Sequence, residues 1–122
     1  MKTILVADDD AANRELVCAI LDRHGFRVVG VEDGTEALHR AQAETPDLIL
    51  LDIHMPRLDG YETLKQIRHQ PALRTVPTVA VTASAMAGDE ERSLTAGFSA
   101  YLAKPYEVED IVGLVVKLLS NE

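Results

Sequence analysis

The sequence predicts an α/β protein in which five parallel strands, in the order 2-1-3-4-5, form a doubly wound sheet with helices on both faces. Short apolar runs rich in Val, Ile or Leu alternate five times with helical patterns along the 122 residues. Such runs are typical of parallel strands that are covered on both faces, and short connections between them require right-handed crossovers. For five strands this order puts the topological switch point between strands one and three.

The strands and the first helix follow from these runs and from the residues that end them. Strands are predicted at about residues 3–7, 27–31, 47–52, 77–82 and 100–103. The first helix is expected to begin near Ala11, with Asp10 as its N-cap, and Gly25 is expected to close it. Its predicted apolar face consists of Leu16, Val17, Ile20 and Leu21.

The other four helices are predicted from the same apolar periodicity. Pro46 should stop the second helix, and Gly97 should cap the fourth, at about 86–96. The fifth is expected at about 107–119. Before the third helix, Asp59-Gly60 is predicted to form a loop in which Gly60 permits a positive φ. The apolar faces of helices two, three and five are Ala37, Leu38 and Ala41; Tyr61, Leu64 and Ile67; and Ile111, Leu114, Val115, Leu118 and Leu119.

Composition predicts one domain, residues 1–122, with a single core. The chain is 47% hydrophobic and 26% charged, which suits one globular domain of this length. The net charge of -8 argues against a nucleic-acid surface, which needs clustered Lys and Arg. Cys18 is the only cysteine, so an intrachain disulfide is excluded, and the N-terminus is too polar for a signal peptide or membrane span. A reducing, cytoplasmic location is therefore expected.

Four strands end in groups that phosphoryl chemistry uses. The first runs into Asp8-Asp9, the third into Asp52, the fourth into Thr82 and the fifth into Lys104. The carboxyl ends of parallel strands lie along one edge of the sheet, so these groups should share one pocket. Taken alone, Asp8-Asp9 could simply be charges at a helix N-terminus. Asp52 ends the most apolar strand, where an unpartnered charge is costly, and this favours a functional role.

Charge counting predicts a divalent cation in this pocket. Three carboxylates, of Asp8, Asp9 and Asp52, and the ammonium of Lys104 leave a net charge of -2. Ligation by oxygen alone favours Mg²⁺ or Mn²⁺ over zinc. With the cation bound, Asp52 could attack a phosphoryl group without the full anionic repulsion and become an aspartyl-phosphate. Thr82 and Lys104 would hold the phosphoryl oxygens.

These segments resemble, in order and spacing, the receiver domain of two-component response regulators, a CheY-like family with a flavodoxin-like sandwich. The resemblance covers essentially the whole chain and includes the Asp33-Gly34 turn. The stretch VTASAMAGDEER, followed by a glycine and AYLAKP, is most similar to single-domain regulators of the DivK type and to receivers of hybrid kinases. The other matching segments are ILVADDD, PDLILLDIHMPRLDG and VPTVAVTA.

The resemblance implies a phosphorylation-dependent switch. Asp52 would accept a phosphoryl group from the phospho-histidine of a histidine kinase or histidine phosphotransfer domain. Asp9 and Asp52 would bind Mg²⁺ directly, helped by the backbone carbonyl of His54, while Asp8 would act partly through water. Such a protein is not an enzyme toward other substrates, because it catalyses only its own phosphorylation and dephosphorylation.

The resemblance also implies how the signal would leave the site. Thr82 and Lys104 contact the phosphoryl group, Thr82 moves toward it, and Tyr101 is the aromatic switch that turns inward. The face formed by helix four, strand five and helix five then binds a downstream protein. A monomer without nucleic-acid or membrane partners is expected, and the bond before Pro105 is expected to be cis. The family varies the positions of His54 and Ser84, which influence dephosphorylation.

Three alternative classes fit the residues less well. A haloacid-dehalogenase-like phosphatase would use Asp8 and Asp10 as an Asp-x-Asp pair, but Ala12 stands where Thr or Val is expected. A flavodoxin-like cofactor binder would need a phosphate-cradling loop after strand one, where this chain has three aspartates. A degenerate receiver that acts only as a scaffold would not need the complete set of acidic residues, Thr82 and Lys104.

Overall fold

The computed structural model of the protein describes residues 1–55, 58–82 and 87–120. Five strands form one parallel sheet in the order β2-β1-β3-β4-β5. This confirms the predicted topology, and each strand lies within one residue of its predicted bounds. The strands are β1 (Thr3–Ala7), β2 (Arg27–Val31), β3 (Leu48–Asp52), β4 (Thr78–Thr82) and β5 (Ala100–Ala103).

Helices follow the strands in strict alternation, as predicted. Three of them begin at an aspartate whose carboxylate accepts the backbone N–H three residues further on: Asp10, Asp33 and Asp59. The predicted N-cap role of Asp10 is therefore confirmed. A short 3₁₀ helix at Pro71–Leu73 precedes β4 and was not predicted. The α-helices are α1 (Ala11–Arg23), α2 (Gly34–Glu44), α3 (Gly60–His69), α4 (Asp89–Ala96) and α5 (Val108–Ser120).

Two predictions about helix starts are wrong. Helix α4 begins at Asp89 rather than near residue 86, because Gly88 has φ +87° and cannot be helical; residues 83–86 lie outside the described part of the chain. Gly60 is the first residue of α3 and does not have the positive φ that was expected. A Cβ at Gly60 would lie 2.6 Å from the Cα of Ile53, so glycine is needed there for close packing beside β3.

The predicted apolar face of α1 also needs correction at one position. Val17 and Leu21 are buried, but Leu16 is 59% exposed. Adjacent helical residues are separated by about 100° around the axis, so Leu16 lies beside the buried stripe rather than within it. The apolar periodicity alone does not show which pair of residues four positions apart is buried, Leu16 with Ile20 or Val17 with Leu21.

Helices cover both faces of the sheet and create two core layers. Along β1, Ile4 and Val6 face the layer beneath α1 and α5, whereas Leu5 and Ala7 face the layer beneath α2 and α3. Strand β3 is buried at every position. The sheet interior is therefore apolar, and polar chemistry is confined to the ends of the strands.

The strand register places the predicted site residues side by side. Ala7 pairs with Leu51, so Asp8 and Asp52 each lie one residue beyond that pair, and Thr82 pairs with Ala103. The longest helices described have 13 residues, shorter than a bilayer span requires. Accordingly, no helix in the described ranges can cross a membrane.

Candidate functional site

Three carboxylates meet at the carboxyl ends of β1 and β3. One oxygen from each of Asp8, Asp9 and Asp52 lies within 4.8 Å of the other two. Asp8 and Asp52 are only 4% and 6% exposed, while Asp9 is exposed. The structure thus confirms that the acids predicted to converge do so at the switch point between β1 and β3. A set of oxygen donors with this charge fits a hard divalent cation such as Mg²⁺.

Among the residues that the structure describes, Lys104 places a positive charge against two of these carboxylates. Its Nζ lies 3.0 Å from Asp8 Oδ2 and 3.5 Å from Asp52 Oδ2. Burial opposes the ammonium form, but the hydrogen bond to Asp8 and the charges of Asp52 and Asp8 outweigh it and raise the pKa of Lys104. The bond between Lys104 and Pro105 is cis, as the family resemblance implies. Lys104 therefore stays charged beside both acids.

The surroundings of Asp52 disfavour its charge. Burial raises the pKa of Asp52, and the neighbouring Asp8 charge adds to this effect. The backbone N–H of His54, 2.9 Å from Asp52 Oδ1, and the Lys104 ammonium act in the opposite direction without cancelling it. A cation beside Asp52 would therefore relieve an unfavourable charge that the fold has created.

Asp8 is held by more donors than the sequence predicted. Its Oδ1 accepts the backbone N–H of Asp10 at 2.9 Å, and its Oδ2 accepts from the side-chain amide of Asn13 as well as from Lys104. The guanidinium of Arg14 donates to the Asp8 backbone carbonyl at 2.8 Å. Asn13 and Arg14 were not predicted as site residues. The available signal was their place in the first turn of the helix that follows the acids.

The predicted switch residues occupy neighbouring strands. Thr82 is fully buried as the last residue of β4, and its carbonyl accepts the backbone N–H of Lys104 at 2.8 Å. Tyr101 on β5 is half-buried against the core layer beneath α2 and α3. Burial first, and then the charges of Asp89 and Glu90 with a contribution from Tyr61, raise the pKa of Tyr101. The Tyr101 ring therefore lies near the start of α4.

An aromatic cluster joins α3 to α4 next to Tyr101. The Tyr61 hydroxyl lies 3.1 Å from Ser93 Oγ, and the Arg92 guanidinium lies 4.4 Å from the centre of the Tyr61 ring. Phe98 packs edge-on against Tyr61 with ring centroids 5.9 Å apart. These contacts fix α4 against α3, so a movement of α4 must disturb them.

Two predicted positions remain, His54 and Ser84. The side chain of His54 is exposed, and its backbone carbonyl as a metal ligand stays a prediction. Ser84 lies outside the described residues. Ala11 and Ala12 are exposed at the start of α1, immediately after the acids. Small side chains at this position leave the entrance to the acidic site open.

Comparisons with known proteins agree with this geometry. The family model for the response regulator receiver domain matches residues 4–116. The polar-differentiation response regulator DivK of Brucella anthropi is 35% identical over 120 residues, covering 98% of both chains.

Solved structures give the same result. The receiver domain of the sensor histidine kinase PA1611 from Pseudomonas aeruginosa PAO1, with a magnesium ion coordinated in its active site cleft, is 37% identical, with a TM-score of 0.90 and 98% of both chains covered. The chemotaxis protein CheY4 of Vibrio cholerae is 28% identical, with a TM-score of 0.91 over 97% of this chain and 98% of that one. This chain therefore belongs to the response regulator receiver domain family, the phosphoryl-accepting signalling switches of two-component systems.

Proposed function

We propose that Asp52 accepts the phosphoryl group in this receiver. The observation that carries the proposal is the convergence of Asp8, Asp9, Asp52 and Lys104 at one edge of the sheet, with three carboxylate oxygens within 4.8 Å. Among the acids, Asp8 is engaged by several donors and Asp9 is exposed. Asp52 is buried beside Lys104, in the position of a nucleophile whose product can be held by that ammonium.

The acidic residues of the site would hold Mg²⁺, and Mn²⁺ can substitute for it. Asp9 and Asp52 bind the ion directly together with the His54 backbone carbonyl. Asp8 acts partly through water, which agrees with the donors that already occupy its carboxylate. Bound Mg²⁺ supplies positive charge against the oxygens of the incoming phosphoryl group. The three carboxylates and one ammonium of the pocket leave the negative charge that such an ion requires.

The donor is a phospho-histidine of a histidine kinase or a histidine phosphotransfer domain. An Asp52 carboxylate oxygen attacks the phosphorus, forming an O–P bond as the N–P bond breaks, and the electron pair of that bond stays on the imidazole. The imidazole then takes a proton from water. Lys104 and the hydroxyl of Thr82 bind the phosphoryl oxygens. The protein acts catalytically only on itself, in its own phosphorylation and dephosphorylation.

Phosphorylation would change the protein-binding face formed by α4, β5 and α5. Thr82 moves toward the phosphoryl group, and Tyr101 turns into the space that Thr82 leaves. Converting a population from 1:99 to 99:1 takes about 5.5 kcal/mol, and two or three charge-assisted hydrogen bonds of about 1.5–3 kcal/mol each supply it. The protein then works as a cytoplasmic monomer that binds a downstream protein rather than nucleic acid or membrane.

The donor domain docks at the start of α1. Ala11 and Ala12 are exposed beside the acidic residues, so a partner's histidine can approach Asp52 across them. This approach requires small side chains at residues 11 and 12, because a large side chain there would lie between the partner's phospho-histidine and the Asp52 carboxylate.

The proposal is tested by incubating the protein with Mg²⁺ and acetyl phosphate and recording its intact mass. The protein should gain one phosphoryl group, lose it to hydroxylamine, and gain none without Mg²⁺ or with Asp52→Asn. Asp22→Asn is the matched control, because Asp22 is an exposed carboxylate near the end of α1, and it should be phosphorylated like the parent. Equal phosphorylation of Asp52→Asn would rule out Asp52 as the acceptor.

A further inference from the structure

A side-chain amide on α1 holds one carboxylate of the acidic site. The amide of Asn13 donates to Asp8 Oδ2, the same oxygen that accepts from Lys104 Nζ at 3.0 Å. Asn13 lies in the first turn of α1 and Lys104 directly follows β5, so two different elements bring donors to one carboxylate oxygen.

A small cavity lies beside this contact. Asp8, Asn13 and Tyr106 line one cavity of about 10 Å³, which is at the lower limit for a single water molecule. The Tyr106 ring packs against the core layer beneath α1 and α5. The backbone of Asn13 is fixed separately, because its N–H donates to the Asp10 carboxylate at 3.2 Å. The Asn13 side chain is therefore not needed for the helix cap and can hydrogen-bond to Asp8.

We propose that Asn13 is a positioning residue that holds the Asp8 carboxylate for the cation. The inference rests on the proposed Mg²⁺ site at Asp8, Asp9 and Asp52. Lys104 also holds Asp8 Oδ2, but Lys104 is expected to turn to the phosphoryl group once Asp52 is phosphorylated. Asn13 would then keep Asp8 in place throughout the cycle.

The measured quantity is the dissociation constant for Mg²⁺, obtained by calorimetric titration of the full chain with MgCl₂ alone. Removing a group that orients a metal-binding carboxylate usually weakens metal binding by about 10–100-fold. Asn13→Ala should therefore raise the dissociation constant about tenfold.

A control variant tests whether the effect is local to the acidic site. Tyr61→Phe is the matched control: it removes a hydroxyl that lies 3.1 Å from Ser93 Oγ, on the other face of the sheet, and should leave Mg²⁺ affinity unchanged. A purely structural role of Asn13 would lower the urea midpoint without changing Mg²⁺ affinity.

The outcomes separate this inference from the proposed function. If the parent binds Mg²⁺ and Asn13→Ala binds it equally tightly, the positioning role is overturned while the cation site stands. Asn13→Leu keeps the approximate volume of the side chain and removes the donor, so an unchanged Mg²⁺ affinity in Asn13→Leu would overturn the positioning role even if Asn13→Ala did not fold. A parent that binds no Mg²⁺ would overturn both.

Discussion

Replacing Asp52 with Asn is expected to stabilise the metal-free protein, although it removes the proposed acceptor. Burial and the nearby Asp8 charge raise the pKa of Asp52, so the folded state holds this charge less favourably than the unfolded chain does. Asn has nearly the same shape as Asp. Its Oδ1 can accept the same backbone N–H of His54, which lies 2.9 Å from Asp52 Oδ1 in the parent. The substitution therefore removes the charge and keeps the contact.

Coulomb's law gives the size of the effect. At 4.8 Å, the upper limit of the separations within this cluster, two carboxylate oxygens repel by about 3.5 kcal/mol at an effective dielectric constant of about 20, and Asp52 faces two such groups. Lys104, 3.5 Å from Asp52 Oδ2, attracts it by about 4.7 kcal/mol on the same scale. The difference of about 2 kcal/mol opposes the charged form, and salt reduces it further. The free energy of unfolding should rise by about 1–2 kcal/mol at low ionic strength.

The assay is urea unfolding followed by circular dichroism, in EDTA at neutral pH and low salt. Asp52→Asn should unfold at higher urea than the parent, while Asp22→Asn should stay within about 0.5 kcal/mol of the parent. Because the pKa of Asp52 is raised, its cost to the parent is present above that pKa and disappears as the carboxyl protonates. The difference between parent and variant should therefore shrink as the pH is lowered through the titration of Asp52.

Mg²⁺ should reverse the order of the two proteins. A ligand at 100 times its dissociation constant stabilises the folded state by about 2.7 kcal/mol, and Asp52→Asn has lost one of the proposed ligands. An Asp52→Asn protein that is equally or less stable than the parent in EDTA would refute the reasoning, because the acidic site would then hold no unfavourable charge.

The other predictions concern docking, switching and packing. Ala12→Trp should slow phosphorylation by a protein donor but spare that by acetyl phosphate; equal loss with both donors would mean damage to the pocket itself. Thr82→Ala should still be phosphorylated, yet NMR should show loss of the Tyr101 and α4 shifts that phosphorylation causes in the parent, and persistence of those shifts would contradict the proposed coupling. Tyr61→Phe should cost about 1 kcal/mol of unfolding free energy through the lost hydrogen bond to Ser93, and an unchanged urea midpoint would show that this bond does not stabilise α4 against α3.

The convergence of the acids could be predicted from the sequence because it depends on topology alone. The order of parallel strands determines which strand ends are neighbours. The fully apolar run before Asp52 is typical of a strand that is buried on both faces, so β3 could be placed there. Residues 96 positions apart, Asp8 and Lys104, could therefore be placed together without knowing any side-chain contact.

The finer contacts depend on how helices approach the sheet, which periodicity does not specify. Whether Asn13 reaches Asp8 is decided by the angle at which α1 lies against the sheet. The sequence suggests that Gly60 is needed for a turn, whereas the structure shows that it is needed for close packing. Ile53 approaches Gly60 only in the folded protein, where the Cα of Ile53 would lie 2.6 Å from a Cβ at Gly60. The incorrect prediction that Leu16 is buried has a similar origin. The pair Leu16 and Ile20 is as apolar as the pair Val17 and Leu21, and only the folded protein shows which pair faces the core.

The most direct test of the central claim is to locate the phosphoryl group on the chain. The protein is phosphorylated with acetyl phosphate and Mg²⁺ and reduced with borohydride, which converts an aspartyl-phosphate to homoserine. The modified residue is then identified by peptide mass spectrometry. The structure predicts homoserine in place of Asp52 alone. Homoserine at Asp8 or Asp9, or none at any aspartate of a folded protein that binds Mg²⁺, would contradict the account.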